Sequence, residues 1–288
     1  MTTAGVPVRA WQRLVAAVLA ASALLLAGCA ALDEQQRRWI FQPNKSTWAG
    51  AAAAADGMAE RWIDFAAPSS GERIRLHALW LPQDRADAPV LLYLHGARWD
   101  VRSSAFRMRR MHELGFAVLG MDYRGFGQST DQLPSEESAY EDARAAWNWL
   151  RREMPRAPRY IFGHSLGAAI AVHLAAEVDD ERGVMLEGSF PSIPDVVSTM
   201  RFGWLPLGPL ITQRFEAAQL IARIGSPVLV VHGSNDALIR PELGRALYER
   251  ARAPKRFVLV DGGTHHNTNA LGQDQYREAV RSLFGLRI

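Results

Sequence analysis

Residues 160–169 read YIFGHSLGAA, and this stretch decides how the rest of the chain can fold. Its apolar start favours a β-strand, and the alanine-rich run from Ala168 onward favours a helix. Gly163 and Gly167 flank Ser165 in a Gly-x-Ser-x-Gly pattern. Between a strand and a helix, this pattern predicts a tight turn with the serine at its apex and small residues beside it. The pattern alone is short enough to occur by chance, so its meaning depends on the flanking chain.

Strands and helices alternate on both sides of this turn. Residues 73–80 alternate between polar and apolar, which predicts an antiparallel hairpin with the strand before them. Later apolar runs are continuous, as in strands buried on both faces. The pattern predicts an α/β fold with a mostly parallel, doubly wound sheet of eight strands. Besides the strand before Ser165, strands are expected at 60–66, 73–81, 90–94, 117–121, 183–186, 228–231 and 256–260, and helices at 103–114, 135–153, 241–251 and 274–286.

The chain divides into a leader, a tether and one main domain. We expect a signal peptide at 1–28, a tether at 29–58 and the domain at 59–288. Residues 190–223 interrupt the alternation with four prolines and many apolar side chains, and they are too long for a plain connection. This segment predicts a small cap that shapes an apolar substrate site. The alternative is an ordinary helix flanked by proline loops.

The composition excludes some classes of function. The net charge is +3 and the pI is about 9.3, but arginine supplies nearly all the positive charge and no basic block with interleaved aromatic residues occurs. Nucleic acid is therefore not an expected partner. Arg107, Arg109 and Arg110 have helical spacing and are interpreted as a solvated helix face.

The single cysteine, Cys29, follows an apolar run at 14–27 that Arg9 and Arg13 precede. This arrangement resembles the lipobox of bacterial lipoproteins, in which the cysteine is diacylated and becomes the new N-terminus. Ala30 follows the cysteine, and by resemblance to Gram-negative sorting rules this favours the outer membrane, facing the periplasm. The alternative is an ordinary signal peptide or anchor with an incidental cysteine.

Three residues at predicted strand ends can form a nucleophilic triad. They occur in the order Ser165, Asp236, His265. The carboxyl ends of strands in an open α/β sheet are where ligands bind. A serine hydroxyl needs a base to accept its proton, and the base needs an acid to orient it. We therefore expect Ser165 as nucleophile, His265 as base and Asp236 as acid.

Other residues compete for the roles of acid and base. His266 is adjacent to His265, and Glu187 is another carboxylate at the end of a predicted strand. Asp261 and Asp122 each precede a glycine turn and are expected to bond backbone there, and His95 is expected to order its loop. No metal site is predicted, because adjacent histidines project differently and no carboxylate motif accompanies them.

The oxyanion of a tetrahedral intermediate needs two hydrogen-bond donors. The backbone N–H of Leu166, directly after the nucleophile, is one expected donor. The other is the backbone N–H of Ala97, in the loop after the strand that ends in His95-Gly96.

Five ordered motifs now carry a family resemblance: LHG at 94–96, DYRGFGQS at 122–129, GHSLG at 163–167, HGSND at 232–236 and GGTH at 262–265. Together they resemble the α/β-hydrolases from about residue 59 onward. Residues 189–194 and 205–210 resemble the subgroup related to protein depalmitoylases and its bacterial relatives. That subgroup has Asn after the His-Gly pair, where this chain has Ala97-Arg98, and its histidine is followed by Asn, where His266 stands here.

These features predict a membrane-tethered serine hydrolase that cleaves carboxylic esters or thioesters through an acyl-enzyme, without a cofactor. The apolar cap suggests a lipid-like or aromatic acyl group, and a palmitoyl group fits the subgroup. Amide or peptide hydrolysis is an alternative on the same fold. A non-catalytic lipoprotein that binds envelope components is the alternative from a different class.

Overall fold

A computed structural model of the chain describes residues 8–48, 50–85, 87–252 and 254–286. The first seven residues of the predicted signal peptide, and the last two residues of the chain, lie outside this description. One sheet organises the domain, with strand order β1-β2-β4-β3-β5-β6-β7-β8. Its strands are β1 (Ala59–Ala66), β2 (Arg73–Leu81), β3 (Val90–Leu94), β4 (Ala117–Met121), β5 (Arg159–His164), β6 (Glu181–Glu187), β7 (Val228–Gly233) and β8 (Lys255–Val260).

The pairing of the strands follows the predicted pattern. β2 is antiparallel to β1 and to β4, whereas every pair from β4 across to β8 is parallel. The carboxyl ends of the parallel strands therefore meet at one edge of the sheet, which we call the catalytic edge. The α/β-hydrolase fold with an eight-stranded, mostly parallel sheet is confirmed.

Helices cover both faces of the sheet. They are α1 (Val8–Phe41), α2 (Ala51–Ala55), α3 (Ala105–Glu113), α4 (Glu136–Glu153), α5 (Leu166–Ala175), α6 (Ile193–Ser198), α7 (Ala217–Leu220), α8 (Pro241–Arg250), α9 (Thr268–Leu271) and α10 (Gln273–Phe284). Short 3-10 turns occur at Val101–Ser104, Gly208–Leu210 and Ile221–Arg223.

The alternation along β3 shows how the two layers form. Leu92 and Leu94 join the core that contains α4, α5 and α8, whereas Leu91 and Tyr93 join the core that contains α3 and α10. All four side chains are completely buried. A strand buried on both faces needs a continuous apolar sequence, which is why no polar residue interrupts this strand.

The N-terminal helix α1 runs without a break through the predicted junction of leader and tether. Its apolar part is exposed, and the segment Trp11–Phe41 is long and apolar enough to cross a membrane, a test that a signal sequence near the N-terminus also passes. The C-terminal end of α1 docks on the domain. Phe41 is completely buried, and its ring contacts that of Phe215 with centroids 5.8 Å apart. The tether is therefore helical from Cys29 to Phe41, and Phe41 belongs to the domain's core.

Candidate active site

Ser165 occupies a strained position between β5 and α5. Its φ is 56° and its ψ is −122°, a backbone conformation with positive φ that residues other than glycine rarely adopt. The turn is possible because its neighbours lack side chains. A Cβ on Gly163 would lie 2.3 Å from the Gly167 carbonyl oxygen, and a Cβ on Gly167 would lie 2.2 Å from that of Leu94. The two glycines let strand, turn and helix approach closely, as the sequence pattern predicted.

The structure brings Ser165, His265 and Asp236 together at the catalytic edge. The Ser165 Oγ lies 2.9 Å from the His265 Nε2, and the His265 Nδ1 lies 2.7 Å from the Asp236 Oδ2. With its proton on Nδ1, the imidazole donates to the carboxylate and leaves Nε2 free to accept the serine proton. The imidazole thus has the orientation that a general base requires.

Asp236 is held in place through its other oxygen. Its Oδ1 accepts the backbone N–H groups of Leu238 at 3.0 Å and Ile239 at 2.8 Å, so Oδ2 points to His265. Burial alone would raise the pKa of Asp236. Hydrogen bonds from His232 and His265 outweigh burial and hold the pKa well below its usual range. The group is therefore a carboxylate at neutral pH and can stabilise an imidazolium.

The two expected oxyanion donors are available within the described residues. The backbone N–H groups of Ala97 and Leu166 donate to no protein acceptor there. Leu166 is the first residue of α5, so the positive end of the helix dipole lies at the serine. A Cβ on Gly96 would lie 3.0 Å from the Ser165 Cβ, which shows how closely the Ala97 loop approaches the nucleophile.

The Ala97 loop is fastened to the end of the N-terminal helix. The backbone N–H of Arg98 donates to the Phe41 carbonyl at 2.9 Å, and the Arg98 Nε donates to the Gln42 Oε1 at 3.0 Å. Arg98 has a φ of 90°, so this loop also holds an unfavourable conformation. Further along, Thr47 bonds the carboxylate of Asp100 at 2.5 Å. The segment after α1 therefore restrains the loop that carries a candidate oxyanion donor.

The competing acids lie elsewhere. Glu187 binds Arg107 and Tyr276, with no bond to His265, and Asp261 is exposed beside Ser234. Asp122 accepts the Val101 N–H at 2.6 Å, which is the backbone role expected of it.

The competing histidines also lie outside the triad. His266 is exposed, and its imidazole has no bond to Ser165 or Asp236. His95 is buried against the rings of Tyr123 and Phe126, where it orders its loop. Among the described residues, no group of three or more His, Cys, Asp or Glu side chains is placed to hold a metal ion.

Arg107 corrects one sequence interpretation. The arginine cluster on α3 was expected to be a solvated face, but the Arg107 side chain is only 14% exposed and its Nε binds the Glu187 Oε1 at 3.1 Å. The Arg107 Nη2 lies 3.3 Å from the His164 Nε2. The same nitrogen donates to the backbone carbonyls of His265 at 3.3 Å and His266 at 2.9 Å. The prediction was wrong here because Glu187 lies 80 residues further along the chain, where spacing gives no signal.

Arg107 and Glu187 together join both halves of the site. The Glu187 carbonyl accepts the Ser165 N–H at 2.9 Å, and its carboxylate accepts from the Tyr276 hydroxyl at 2.5 Å. One buried ion pair therefore links the nucleophile's turn to the loop that carries His265. Sequence reasoning missed this role of Arg107, although Glu187 was noted as a strand-end carboxylate.

Several large apolar side chains in the middle of the cap segment are exposed to solvent. Phe190 at its start is buried, but Phe202 is 60% exposed and Trp204 is 78% exposed. Leu205, Leu207 and Leu210 are exposed as well. These five side chains therefore lie at the surface of the cap segment.

Comparison with known proteins identifies relatives of this chain. A family sequence model described as serine aminopeptidase, S33, matches residues 85–212. An uncharacterized protein of Mycobacterium tuberculosis is 32% identical over 250 residues, which cover 86% of each chain. A lysophosphatidylserine lipase of Danio rerio is 31% identical over 58% of this chain, which spans about half (48%) of that protein.

Solved structures share the fold. An esterase of Pyrococcus furiosus superposes with a TM-score of 0.65 over 84% of this chain and 99% of its own, at 18% identity. These similarities agree with the strand order and with the strand–turn–helix at the serine. The chain belongs to the α/β-hydrolases.

Proposed function

We propose that the protein is a membrane-tethered serine hydrolase that cleaves carboxylic esters or thioesters through an acyl-enzyme. The observation that carries the proposal is the hydrogen-bonded chain from the Ser165 hydroxyl through His265 to the Asp236 carboxylate, at 2.9 and 2.7 Å. The backbone N–H groups of Ala97 and Leu166, which have no acceptor among the described residues, support it.

In acylation, His265 Nε2 takes the proton of the Ser165 hydroxyl as its oxygen attacks the carbonyl carbon of the substrate. The carbonyl oxygen becomes an oxyanion, which the N–H groups of Ala97 and Leu166 stabilise. The tetrahedral intermediate then collapses. The bond to the leaving alcohol or thiol breaks, and His265 returns its proton to that leaving group.

In deacylation, a water molecule takes the place of the leaving group. His265 removes its proton, the resulting hydroxide attacks the acyl carbon, and Ser165 leaves with the proton that His265 gives back. The product is a carboxylic acid, and the enzyme returns to its first state. Asp236 stabilises the imidazolium in both halves of the reaction.

The membrane attachment rests on Cys29 and α1. Cys29 is exposed on α1, at the end of the apolar run. Two or three acyl chains on this cysteine give stable anchoring, since each buried methylene adds about 0.8 kcal/mol. We place the protein in the envelope of a bacterium, at the outer membrane facing the periplasm. If Cys29→Ser left both processing and membrane fractionation unchanged, the lipid anchor would be wrong.

A second candidate function is amide or peptide hydrolysis, which the family description as a serine aminopeptidase favours. The triad chemistry is the same, but the leaving group is an amine. A panel of p-nitrophenyl esters, thioesters and p-nitroanilides of graded acyl length separates the two. We expect the esters and thioesters to turn over, and Ser165→Ala to abolish that turnover. Faster cleavage of the anilides would favour the second candidate.

A further inference from the structure

Six exposed apolar side chains form one continuous stretch of the cap segment, which we call the outer apolar patch. Monomeric soluble proteins rarely expose so many large apolar residues together, and such a surface usually marks an interaction site. The patch consists of Met200, Phe202, Trp204, Leu205, Leu207 and Leu210.

The charges around the patch favour a lipid surface as its partner. Between residues 196 and 215 there is no Asp or Glu, and the charged residues are Arg201 and Arg214. The exposed Arg201 guanidinium lies over the Phe202 ring, 5.5 Å from its centroid. A tryptophan, several leucines and an arginine, in a stretch that contains neither Asp nor Glu between Asp195 and Glu216, have the composition of segments that lie at membrane interfaces.

The patch lies beside the exit of α1 from the domain. The Gln36 side chain donates to the Leu210 carbonyl at 2.7 Å and accepts the Thr212 N–H at 2.9 Å. One turn earlier, Asp33 accepts from the Gln213 side chain at 2.8 Å. These bonds fix the cap to the last turns of the one helix, among the described residues, that could cross a membrane.

The cap also adjoins the reaction centre. It begins directly after β6, at the catalytic edge, where a Cβ on Gly188 would lie 3.1 Å from the His265 Cε1. A membrane that contacts both α1 and the cap therefore lies on the side of the domain where the triad lies.

We propose that the outer apolar patch docks on the lipid bilayer to which Cys29 anchors the remaining part of α1, and that the enzyme takes its acyl substrate from that bilayer. The substrate is then an ester or thioester of a long-chain acyl group held in the membrane. The docking of the patch is argued from its exposed side chains, its charges and its contacts with α1. The choice of substrate rests on the proposed hydrolase function.

The docking is tested by depth-dependent quenching. In a full-length Cys29→Ser background, the uncleaved apolar part of α1 replaces the acyl chains as the anchor. Trp204→Cys then provides a single thiol for an NBD fluorophore. The matched control is Asp87→Cys, an exposed site just before β3, at the opposite edge of the sheet. Both proteins are reconstituted into phosphatidylethanolamine/phosphatidylglycerol vesicles that contain doxyl-labelled lipid.

We expect blue-shifted, quenched emission at position 204 and unshifted, unquenched emission at position 87. Equal and weak quenching at both positions would overturn the proposal. A blue shift at position 204 that depends on protein concentration and not on the doxyl lipid would assign the patch to a second copy of this chain, which also overturns it.

The choice of substrate is tested by a ratio of activities. We compare a long-chain p-nitrophenyl ester dispersed in the vesicles with soluble p-nitrophenyl acetate. For the double variant Phe202→Asp, Trp204→Asp, we expect the vesicle-to-soluble ratio to fall about tenfold. An unchanged ratio would contradict the choice of substrate. Absence of hydrolysis of either ester by the wild type would instead refute the hydrolase, and the quenching result would still stand.

Discussion

Ser165 shows how one residue's strain depends on what its neighbours lack. Its φ is positive, and the absence of side chains at Gly163 and Gly167 makes room for the turn. The sequence could predict this because strand, turn and helix are all local. The Arg107–Glu187 pair could not be predicted, because burial of a charge depends on a partner that only the folded chain brings near.

Arg107 is a positioning residue, because it holds the carbonyls of the loop that carries His265 without contacting the Ser165 hydroxyl. We expect Arg107→Met to lower kcat about 100-fold with little change in KM, since small displacements of a base are costly. Removing one partner of a buried pair also lowers stability by about 3–5 kcal/mol. Activity is therefore measured per titrated site at low temperature.

The matched control is Arg110→Met, on the same helix and without an ion pair among the described residues. It should leave kcat close to that of the wild type. Arg107→Lys keeps the charge and should restore part of kcat. If Arg107→Met lost only the number of titratable sites and kept kcat per site, the residue's role would be purely structural.

His164 is expected to make the protein less stable in mild acid. Burial, and then the charges of Arg107 and His265, hold the pKa of His164 well below its ordinary value. The folded state keeps this imidazole neutral, whereas the unfolded chain binds a proton as pH falls through about 6.5. Its contribution to stability is thus complete above that pH and is lost below it.

The expected loss between about pH 7.5 and about pH 5.5 is about 1.4 kcal/mol of unfolding free energy from this one group. Chemical denaturation of the detergent-solubilised protein at both pH values measures it. His164→Gln serves as the comparison and should show a smaller pH dependence by that amount. Equal pH dependence in the two proteins would contradict the assignment.

At the scale of elements, local sequence patterns predicted the strands and turns but not the long-range contacts. The apolar runs predicted the strands, and the turn signals placed Ser165, Asp236 and His265 at strand ends, where the structure has them. The exposure of the cap segment's apolar side chains could not be predicted. Composition does not say which side of a segment faces the solvent.

The end of α1 is an element whose importance only the structure shows. Phe41 is buried in the core and its carbonyl holds the Arg98 N–H, next to the candidate oxyanion donor of Ala97. We expect Phe41→Ala to lower stability by about 3–5 kcal/mol, as large-to-small core changes do. The Ala97 loop also loses its restraint in this variant. We therefore expect the affinity for a trifluoromethyl ketone, which mimics the oxyanion, to fall by more than the affinity for substrate.

Trp39→Ala is the matched control, because it lies on the same turn of α1 but is 66% exposed. It should change neither quantity measurably. Inhibition constants and KM values for the three proteins are compared after active-site titration. A Phe41→Ala protein with lower stability but unchanged ketone affinity per site would show that α1 packs on the domain without restraining the loop.

At the scale of the whole molecule, the end of α1 contacts both the cap segment and a loop at the catalytic edge. The α1 helix contacts the cap through Gln36 and the Ala97 loop through Phe41. The segment that would tether the enzyme is therefore also part of its catalytic framework. This connection supports the proposal of a hydrolase that works at the membrane surface.

The central claim is that Ser165 is an activated nucleophile. The most direct measurement is reaction of the full-length protein with a fluorophosphonate, followed by peptide mass mapping. We expect one probe per chain, attached to Ser165, and at least about 100-fold slower labelling in His265→Ala, because the hydroxyl then has no base. A folded wild-type protein that remained unlabelled, or carried the probe elsewhere, would contradict the account.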